Sequence, residues 1–480
     1  MPDNRKTSRR SFFMSATMGT VALSSLGMKE ELSVAQNNAG TNPQPCGLRI
    51  VTFKVDVTPP VGDMLAYVSN NEIGSPIYVS GIVLDDGKTR TVWVSCDYIY
   101  ICGESYVMWV EMIAKQAETV KENVFLHAVH QHDSIRWAPE YNAKPSEAGR
   151  LHVSLEYCEK SLKDVSEAIA QAVGGPWQSV GKLLTAENRL GGLASTRRLV
   201  KDGKCVGWRG AGENFPAIQA WPVGTIDPIL RTVCFENTDG RRIVALHFYA
   251  VHPMAVYLKN RVGSEVPGRA LRHVAENNNS VALNIYFNGC AAPLGLGKYI
   301  CTSVDDIYGI DKLGKRLGEG MLKNLRHLEE QPLSSIEVKR VAFEVPFKPS
   351  LQPASDYANG PHGAEFATQR RYLLETLDRW RQSSVARMSL GPGVHFLSFE
   401  LSEVFVDYQL YAQSLIPEHF LATAAYGNGV YWYIPNKEAY EEGDYEVSDK
   451  GSIVTSEIDG ILREALRKCF AEVIYCPGVF

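Results

Sequence analysis

The chain has 480 residues, 45% of them apolar, with 49 basic against 54 acidic side chains and a formal net charge of −5. That length and apolar fraction provide for one large core or two ordinary ones and exclude a disordered or fibrous chain. The two signs of charge are interspersed, so there is no basic stripe for nucleic acid and no charged tail, which leaves a small or uncharged substrate as the default partner.

Residues 1–35 differ in character from the rest of the chain. Arg5 and Lys6 lead into Ser8-Arg-Arg-Ser-Phe-Phe13 and a weakly apolar, small-residue stretch from Met14 to Met28, the pattern of a twin-arginine export signal. Ser33-Val-Ala35 suits a signal peptidase, and the mature protein is expected in the periplasm or outside the cell. The apolar stretch is too short and polar to persist as a membrane span, so no transmembrane segment is expected in the mature protein. Residues 36–47, polar and punctuated by proline, read as a linker, and one folded domain is expected over residues 48–480. Ten cysteines are scattered without a Cys-x-x-Cys pair, so spacing assigns no disulfide, and the oligomeric state is not legible either.

Within that domain Arg49 to Asp56, Ile77 to Leu84 and Thr91 to Tyr100 alternate as strands, the last two joined by the turn Asp85-Asp-Gly87. A helix is predicted from Tyr106 to Val120 and an amphipathic one from Ser154 to Val173, the second closed by Gly174-Gly-Pro176. Strand signals return from Val180 to Glu187 and from Thr232 to Val256, the latter split by Asn237-Thr-Asp-Gly240. Beyond these the pattern predicts a helix from Pro267 to Glu276, a buried strand from Val281 to Phe287 and a helix from Asp305 to Leu328. Strands near Ile336 to Pro346 and Val394 to Leu401 flank a helix over 364–388, and an amphipathic helix from Ser456 to Ala471 closes the chain. Strands and helices interleave without βαβ regularity and without internal repeats. The expected fold class is therefore mixed α/β, a single large domain with β-sheets covered by helices.

Asn123-Val-Phe-Leu-His-Ala-Val-His-Gln-His-Asp133 is an apolar run that gains three histidines in six residues. Read as one regular strand, it puts His130 and His132 on one face, roughly 6 to 7 Å apart along the chain, and His127 on the other. Two imidazoles so placed can bind one metal ion together or divide the work of ligand and proton carrier, and a histidine that merely caps the strand is the competing reading. A metal site needs three or four donors, drawn from separate elements. In His247-Phe-Tyr-Ala-Val-His-Pro-Met254 the two histidines fall on opposite faces of a strand; His252 is the better placed, though spacing leaves a satisfied core histidine equally open. Glu403, in Leu401-Ser-Glu-Val-Phe405, sits amid apolar residues where an unpaired carboxylate is costly and a cation is its natural partner. Asp97 reads either as support for such a site or as a satisfied strand-end acid. Ser134, Ser195 and Cys290 lie in no nucleophile elbow, which argues against covalent catalysis.

His130-Gln-His132, Ala250-Val-His252, Ser402-Glu-Val-Phe405, Tyr433-Ile-Pro and a second tyrosine twelve residues on, in Tyr445-Glu446, succeed one another in an order that resembles the catalytic domain of the neutral, zinc-dependent ceramidases. The resemblance runs from about Phe53 to Leu466, and Pro76 to Gly87 is similar to that family's first hairpin. It implies a zinc-dependent hydrolase of ceramidase-like fold in which His130, His252, Glu403 and Tyr433 hold Zn2+. His132 would act as the proton shuttle, Tyr445 would stabilise an oxyanion, and Arg197 would lie beside the metal. The implied reaction is cleavage of an amide, ceramidase-like N-acyl bond in a small-molecule or lipid-like substrate. In the family a glycine-rich loop carries a serine that contacts the ceramide head group; here the stretch Asn288 to Lys298 puts Gly295 at that place, with Lys298 close by offering a charge. Gly295, Lys298 and Asp97 are the candidate substrate-binding residues. The chain stops about where the catalytic domain is expected to, short of the family's carboxy-terminal immunoglobulin-like domain. Two further readings stand beside this one: a zinc hydrolase acting on a sugar or amino-sugar derivative, and a non-catalytic binding protein of the same fold.

Overall fold

From Thr91 onward every residue of the strand Arg90–Cys96 is buried, which requires cover on both faces, and a period of two divides the side chains between them. Val92 and Val94 face a layer of helices, whereas Trp93 points into a second sheet. This division holds across the structure, a computed structural model that describes residues 47–140, 153–209, 218, 220–255, 259–297, 307–351 and 363–474. The export signal, nearly all of the linker and Lys298 lie outside the described residues.

Eight strands form the path of the large sheet, in the order Val281–Asn288, Arg242–Tyr249, Ile229–Asn237, Gln178–Arg189, Arg49–Asp56, Tyr78–Asp85, Arg90–Cys96, Val124–Ala128, with Glu329–Gln331 also paired to Gln178–Arg189. Neighbours run antiparallel except in the outermost pair at each edge, which is parallel. The sheet curls until its two edges meet: Ser95 Oγ donates to the Tyr286 carbonyl at 2.6 Å, and Asn288 Nδ2 to that of Val129 at 3.0 Å. Ala425 and Tyr426 enter the remaining gap, the Ala425 amide bonding to the Asn288 carbonyl and the Ala128 amide to that of Tyr426, both at 2.9 Å. The carboxyl ends of strands at opposite edges are thereby brought to one place.

A four-stranded sheet, in the order Glu337–Glu344, Gln382–Ser389, Val394–Phe399, Phe420–Ala424, packs on the inner face of the large one. Met388, Phe396 and Ala422 meet Trp93, Phe125, Phe248 and Phe287 there. Trp93 stacks on Phe125 with ring centroids 4.5 Å apart, and its indole donates to Met388 Sδ at 3.2 Å. Helices Gly103–Gln116 and Leu155–Gly174 cover one half of the outer face, and Glu265–Asn277 with Ile307–Arg326 the other. Helix Ile458–Ile474 packs against the second sheet. Among the described residues no helix is long and apolar enough to cross a membrane.

Most predicted elements form within a few residues of their expected ends, and Ser154 caps its helix by accepting from the Tyr157 amide at 3.1 Å. One predicted helix is cut short. The helix read over 364–388 stops at Thr376, and Gln382–Ser389 is a central strand of the second sheet. Ala386, Arg387 and Met388 favour helix locally, but pairing with a strand on each side overrides that preference. The helix Val406–Leu415, which carries Gln409 beneath the site, is not anticipated by the pattern.

Candidate metal centre

The histidine-bearing strand ends at Ala128, so strand periodicity is not what brings His130 and His132 together. His130 has φ of 69°, in the left-handed region that non-glycine residues rarely adopt, and this residue turns the chain. The turn is held from below. Gln131 Nε2 donates to the carbonyls of Asp97 and Gly263, each at 3.0 Å, and the Ser134 hydroxyl donates to Asp97 as well. The two rings stand nearly perpendicular with centroids 4.8 Å apart. His252 arrives from the other edge of the sheet, past the end of Arg242–Tyr249, and its ring centroid lies 4.7 Å from that of His130 and 4.9 Å from that of His132. One buried side chain ties the two carriers. Asn288 donates to the Val129 carbonyl and accepts from the Val251 amide at 3.2 Å, gripping the residue just before each histidine.

Each ring is oriented by a carbonyl: Nδ1 of His130 bonds to Ile99 at 3.0 Å, that of His132 to Pro253 at 3.1 Å and that of His252 to Ala291 at 3.3 Å. A carbonyl only accepts, so Nδ1 carries the proton and Nε2 presents a lone pair. The Nε2 atoms of His130 and His252 are buried and find no hydrogen-bond partner among the described residues. Glu403 Oε2 shares that condition and lies 3.6 Å from His130 Nε2. Its other oxygen accepts from the Tyr100 hydroxyl. Glu403 is placed by a two-residue strand, Glu403–Val404, that runs parallel to Tyr433–Ile434 and sets Glu403 beside Tyr433.

Burial dominates the electrostatics. It holds the pKa of His130 and His252 well below the ordinary imidazole value, with help from the neighbouring imidazoles and the Arg197 charge, and lowers that of His132 to about 3. It pushes Glu403 up to about 7 against the pull of Arg197. Unpartnered buried polar atoms cost roughly 1–3 kcal/mol each, and here His130 Nε2 and Glu403 Oε2 stand 3.6 Å apart. One ligand atom from each of His130, His132 and His252 lies within 4.8 Å of the others, so this buried group could hold a metal ion.

Arg197 closes one side. Its Nη2 donates to the Tyr433 hydroxyl at 2.9 Å, to Glu446 Oε1 at 3.0 Å and to the Ala292 carbonyl. Burial works against its charge, but Tyr433, Glu446 and Glu403 outweigh that and raise its pKa above the ordinary value. Glu446 Oε2 also meets Arg198 Nη1 at 2.6 Å, so this buried carboxylate clamps two guanidiniums at once. The Tyr445 ring stands edge-on to that of Tyr433 at 5.8 Å. His132, Glu403, Tyr433 and Tyr445 all line one small cavity, together with Tyr100 and Arg136.

Seven of the ten residues singled out from the sequence thus lie together: His130, His132, His252, Glu403, Tyr433, Arg197 and Tyr445. Asp97 faces the supporting side instead, where its carboxylate accepts from the Tyr78 amide at 2.9 Å and its carbonyl anchors the histidine turn. Gly295 lies in a strand paired with Ala194–Thr196, where a Cβ would sit 3.4 Å from the Arg197 side chain. Lys298 is outside the described residues. His247 is a satisfied core histidine, bonded to Thr232 and Asn284, and His127 bonds to Ser398 and stacks on Trp93. Sequence reasoning missed Asn288, Tyr100, Glu446 and Tyr426, whose ring stacks on His130 at 4.3 Å. Glu446, next to Tyr445, and Asn288, first residue of the stretch Asn288 to Lys298, lay within motifs that could have flagged them.

The class these features define is a mixed α/β protein with a large curled sheet, flanking helices and a buried three-histidine group able to hold a metal ion. No known protein family and no curated protein matches the sequence. Among solved structures the chain is similar to the crystal structure of neutral ceramidase from Pseudomonas aeruginosa, with a TM-score of 0.67 and 14% identity over 91% of this chain and 76% of that one. A structure of ceramidase complexed with C2 is similar too, with a TM-score of 0.65 and 14% identity over 89% of this chain and 75% of that one. The fold is ceramidase-like.

Proposed function

We propose that the protein is a zinc-dependent hydrolase that cleaves an amide, N-acyl bond. The observation that carries this reading is the buried group of His130, His132 and His252, one ligand atom of each within 4.8 Å of the others, with Glu403 Oε2 3.6 Å from His130 Nε2. His130, His252, Glu403 and Tyr433 form the proposed ligand set: neutral nitrogens, a carboxylate and a phenol suit a borderline-soft dication. When bound, zinc supplies Lewis acidity, polarising a carbonyl and making water more acidic. The chain's own residues do the rest. His132, oriented by the bond from its Nδ1 to the Pro253 carbonyl, is the proposed carrier of a proton from water to the leaving amine. Tyr445 can donate to the oxygen on which charge develops, and Arg197 holds the Tyr433 oxygen in place through a 2.9 Å contact. Asp97 and Gly295 shape this site from behind, and Lys298 is proposed for the substrate side. Export by the twin-arginine route, proposed from residues 1–35, accords with a metal seated before translocation; replacing Arg9 and Arg10 with lysine and tracking the protein by cell fractionation tests it.

Metal analysis of the purified protein should find about one zinc per chain, lost in His130→Ala and in His252→Ala. Undiminished metal in both variants would refute the site. His132→Ala should keep its zinc and lose roughly 10²-fold or more in turnover, the usual worth of a positioned acid/base. Loss of zinc in that variant would instead make the three histidines the ligand set.

A further inference from the structure

We infer that Glu446 is a positioning residue of the metal centre: its carboxylate balances the Arg197 guanidinium and keeps that charge on Tyr433 and away from Glu403, so that a cation can be taken up beside it. This rests on the metal site of the proposed function and not on the bond that is cleaved.

Arg197 and Glu446 are both buried, their side chains 3% and 0% exposed, so water screens neither charge. Nη2 of Arg197 divides its hydrogen bonds among the Tyr433 hydroxyl at 2.9 Å, Glu446 Oε1 at 3.0 Å and the Ala292 carbonyl. The guanidinium carbon also lies 5.5 Å from the centre of the Tyr433 ring and 4.9 Å from that of Trp208. A fixed positive charge thus touches one proposed ligand of a dication, and like charges repel most strongly where water is excluded. Glu403, paired with Tyr433 across their two short parallel strands and lining the same cavity, is a second carboxylate at hand. A guanidinium released from Glu446 would turn to Glu403 and occupy the oxygens that the metal needs.

The charges around Glu446 sort into pairs. Its Oε2 accepts from Arg198 Nη1 at 2.6 Å, but Arg198 has a carboxylate of its own in Glu442, 3.0 Å from Nη2, and donates to the carbonyls of Ala439 and Gly443 as well. Two guanidiniums therefore face two carboxylates, and the charge of Glu446 is the one that balances Arg197. The backbone fixes where that charge stands. Glu446 lies in the single turn Tyr445–Val447, entered through Asp444 at φ of 90°. A Cβ on Gly451 would come within 3.0 Å of the Glu446 Cα, and the Gly451 carbonyl accepts from the Tyr433 amide at 3.2 Å. One glycine thus spans the backbones of the anion and of the proposed ligand, and Arg197 is clamped between their side chains.

The test is zinc affinity by chelator competition, with folding checked by circular dichroism. Glu446→Gln keeps the shape and an acceptor for Arg197 but removes the charge, and should weaken zinc binding roughly 10- to 100-fold. Glu446→Asp, shorter but still charged, should lose far less. Adding Arg197→Gln to Glu446→Gln removes the unbalanced guanidinium and should regain most of the loss, which a merely structural role for Glu446 would not allow. Native affinity in Glu446→Gln overturns the inference, and so does a double variant no better than Glu446→Gln, or a Glu446→Asp variant weaker than Glu446→Gln. Should Glu446→Gln not fold, Arg198→Gln decides. Glu446 then serves Arg197 alone, so zinc should bind at least as tightly as in the native chain, and a loss of about tenfold or more overturns the inference. A native chain that takes up no zinc overturns it together with the metal reading. Zinc affinity that follows the Glu446 charge, with no hydrolysis across a panel of N-acyl amides, would sink the hydrolase reading alone.

Discussion

Glu403 is where the cost of the site concentrates. Its carboxyl has a pKa of about 7 against an ordinary 4.5, because burial opposes its charge more strongly than Arg197 and the Tyr100 hydrogen bond support it. The folded chain thus binds this proton more tightly than the unfolded chain does. The resulting stabilisation is whole below pH 4.5 and is lost as pH rises to about 7, a swing of about 3 kcal/mol. Glu403→Gln, which cannot ionise, should accordingly stabilise the metal-free protein by up to that amount at pH 8 and make little difference at pH 4.5. Denaturant titrations at the two pH values decide it, and a variant less stable at pH 8 would count against burial as the dominant cost at Glu403. Metal affinity should run the other way. The metal needs the ionised carboxylate, and burial holds His130 and His252 well below the ordinary imidazole value, so just below pH 7 affinity should fall by up to about tenfold per unit through Glu403. Chelator competition should show that slope in the native chain and its absence in Glu403→Gln.

Among the elements, the contact between the two sheet edges decides whether the histidines converge. Asn288 ends one edge strand, yet its amide holds Val129 beyond the other edge and Val251 at the end of its neighbour. Asn288→Ala would strand a buried carbonyl and a buried amide, costing about 1–3 kcal/mol, and would free the two histidine carriers from each other. Zinc affinity should drop roughly 10- to 100-fold, as when support behind a ligand is removed, while His130 and His252 remain in place; unchanged affinity in chelator competition would show that the sheet alone sets the geometry. The same contact explains what sequence could convey. Alternating apolar residues marked the strands well, because burial on a sheet face imposes a period of two. His130, His252, Glu403 and Tyr433 were legible as motifs. The reason they meet was not, since it lies in one left-handed residue, in curvature accumulated over eight strands, and in an asparagine 158 residues after His130. Gln382–Ser389 misled for a related reason: its helical preference is local, and the pairing that overrides it is not.

At the scale of the whole molecule, the proposed export route and the state of the cysteines bear on each other. Cys96, Cys102, Cys158, Cys205, Cys234, Cys290 and Cys469 all carry free thiols, and every one but Cys205 is buried. Burial pushes Cys96 and Cys290 well above the ordinary thiol pKa and Cys234 up to about 12, so none of these three presents the thiolate that oxidation requires. A chain exported unfolded would expose them to an oxidising compartment before its core closed. One that folds first, as twin-arginine passengers do, shuts them away beforehand and relies on its two packed sheets and their helices rather than on crosslinks among these residues. Protein recovered from the exported fraction should therefore show all seven of these cysteines alkylated as free thiols when it is unfolded in the presence of iodoacetamide and mapped by mass spectrometry. Without denaturant Cys205, the one of these seven that is not buried, should react first among them, slowly because burial pushes its pKa up to about 11. A disulfide between any two of the seven would mean that the chain meets the oxidising compartment before this core forms.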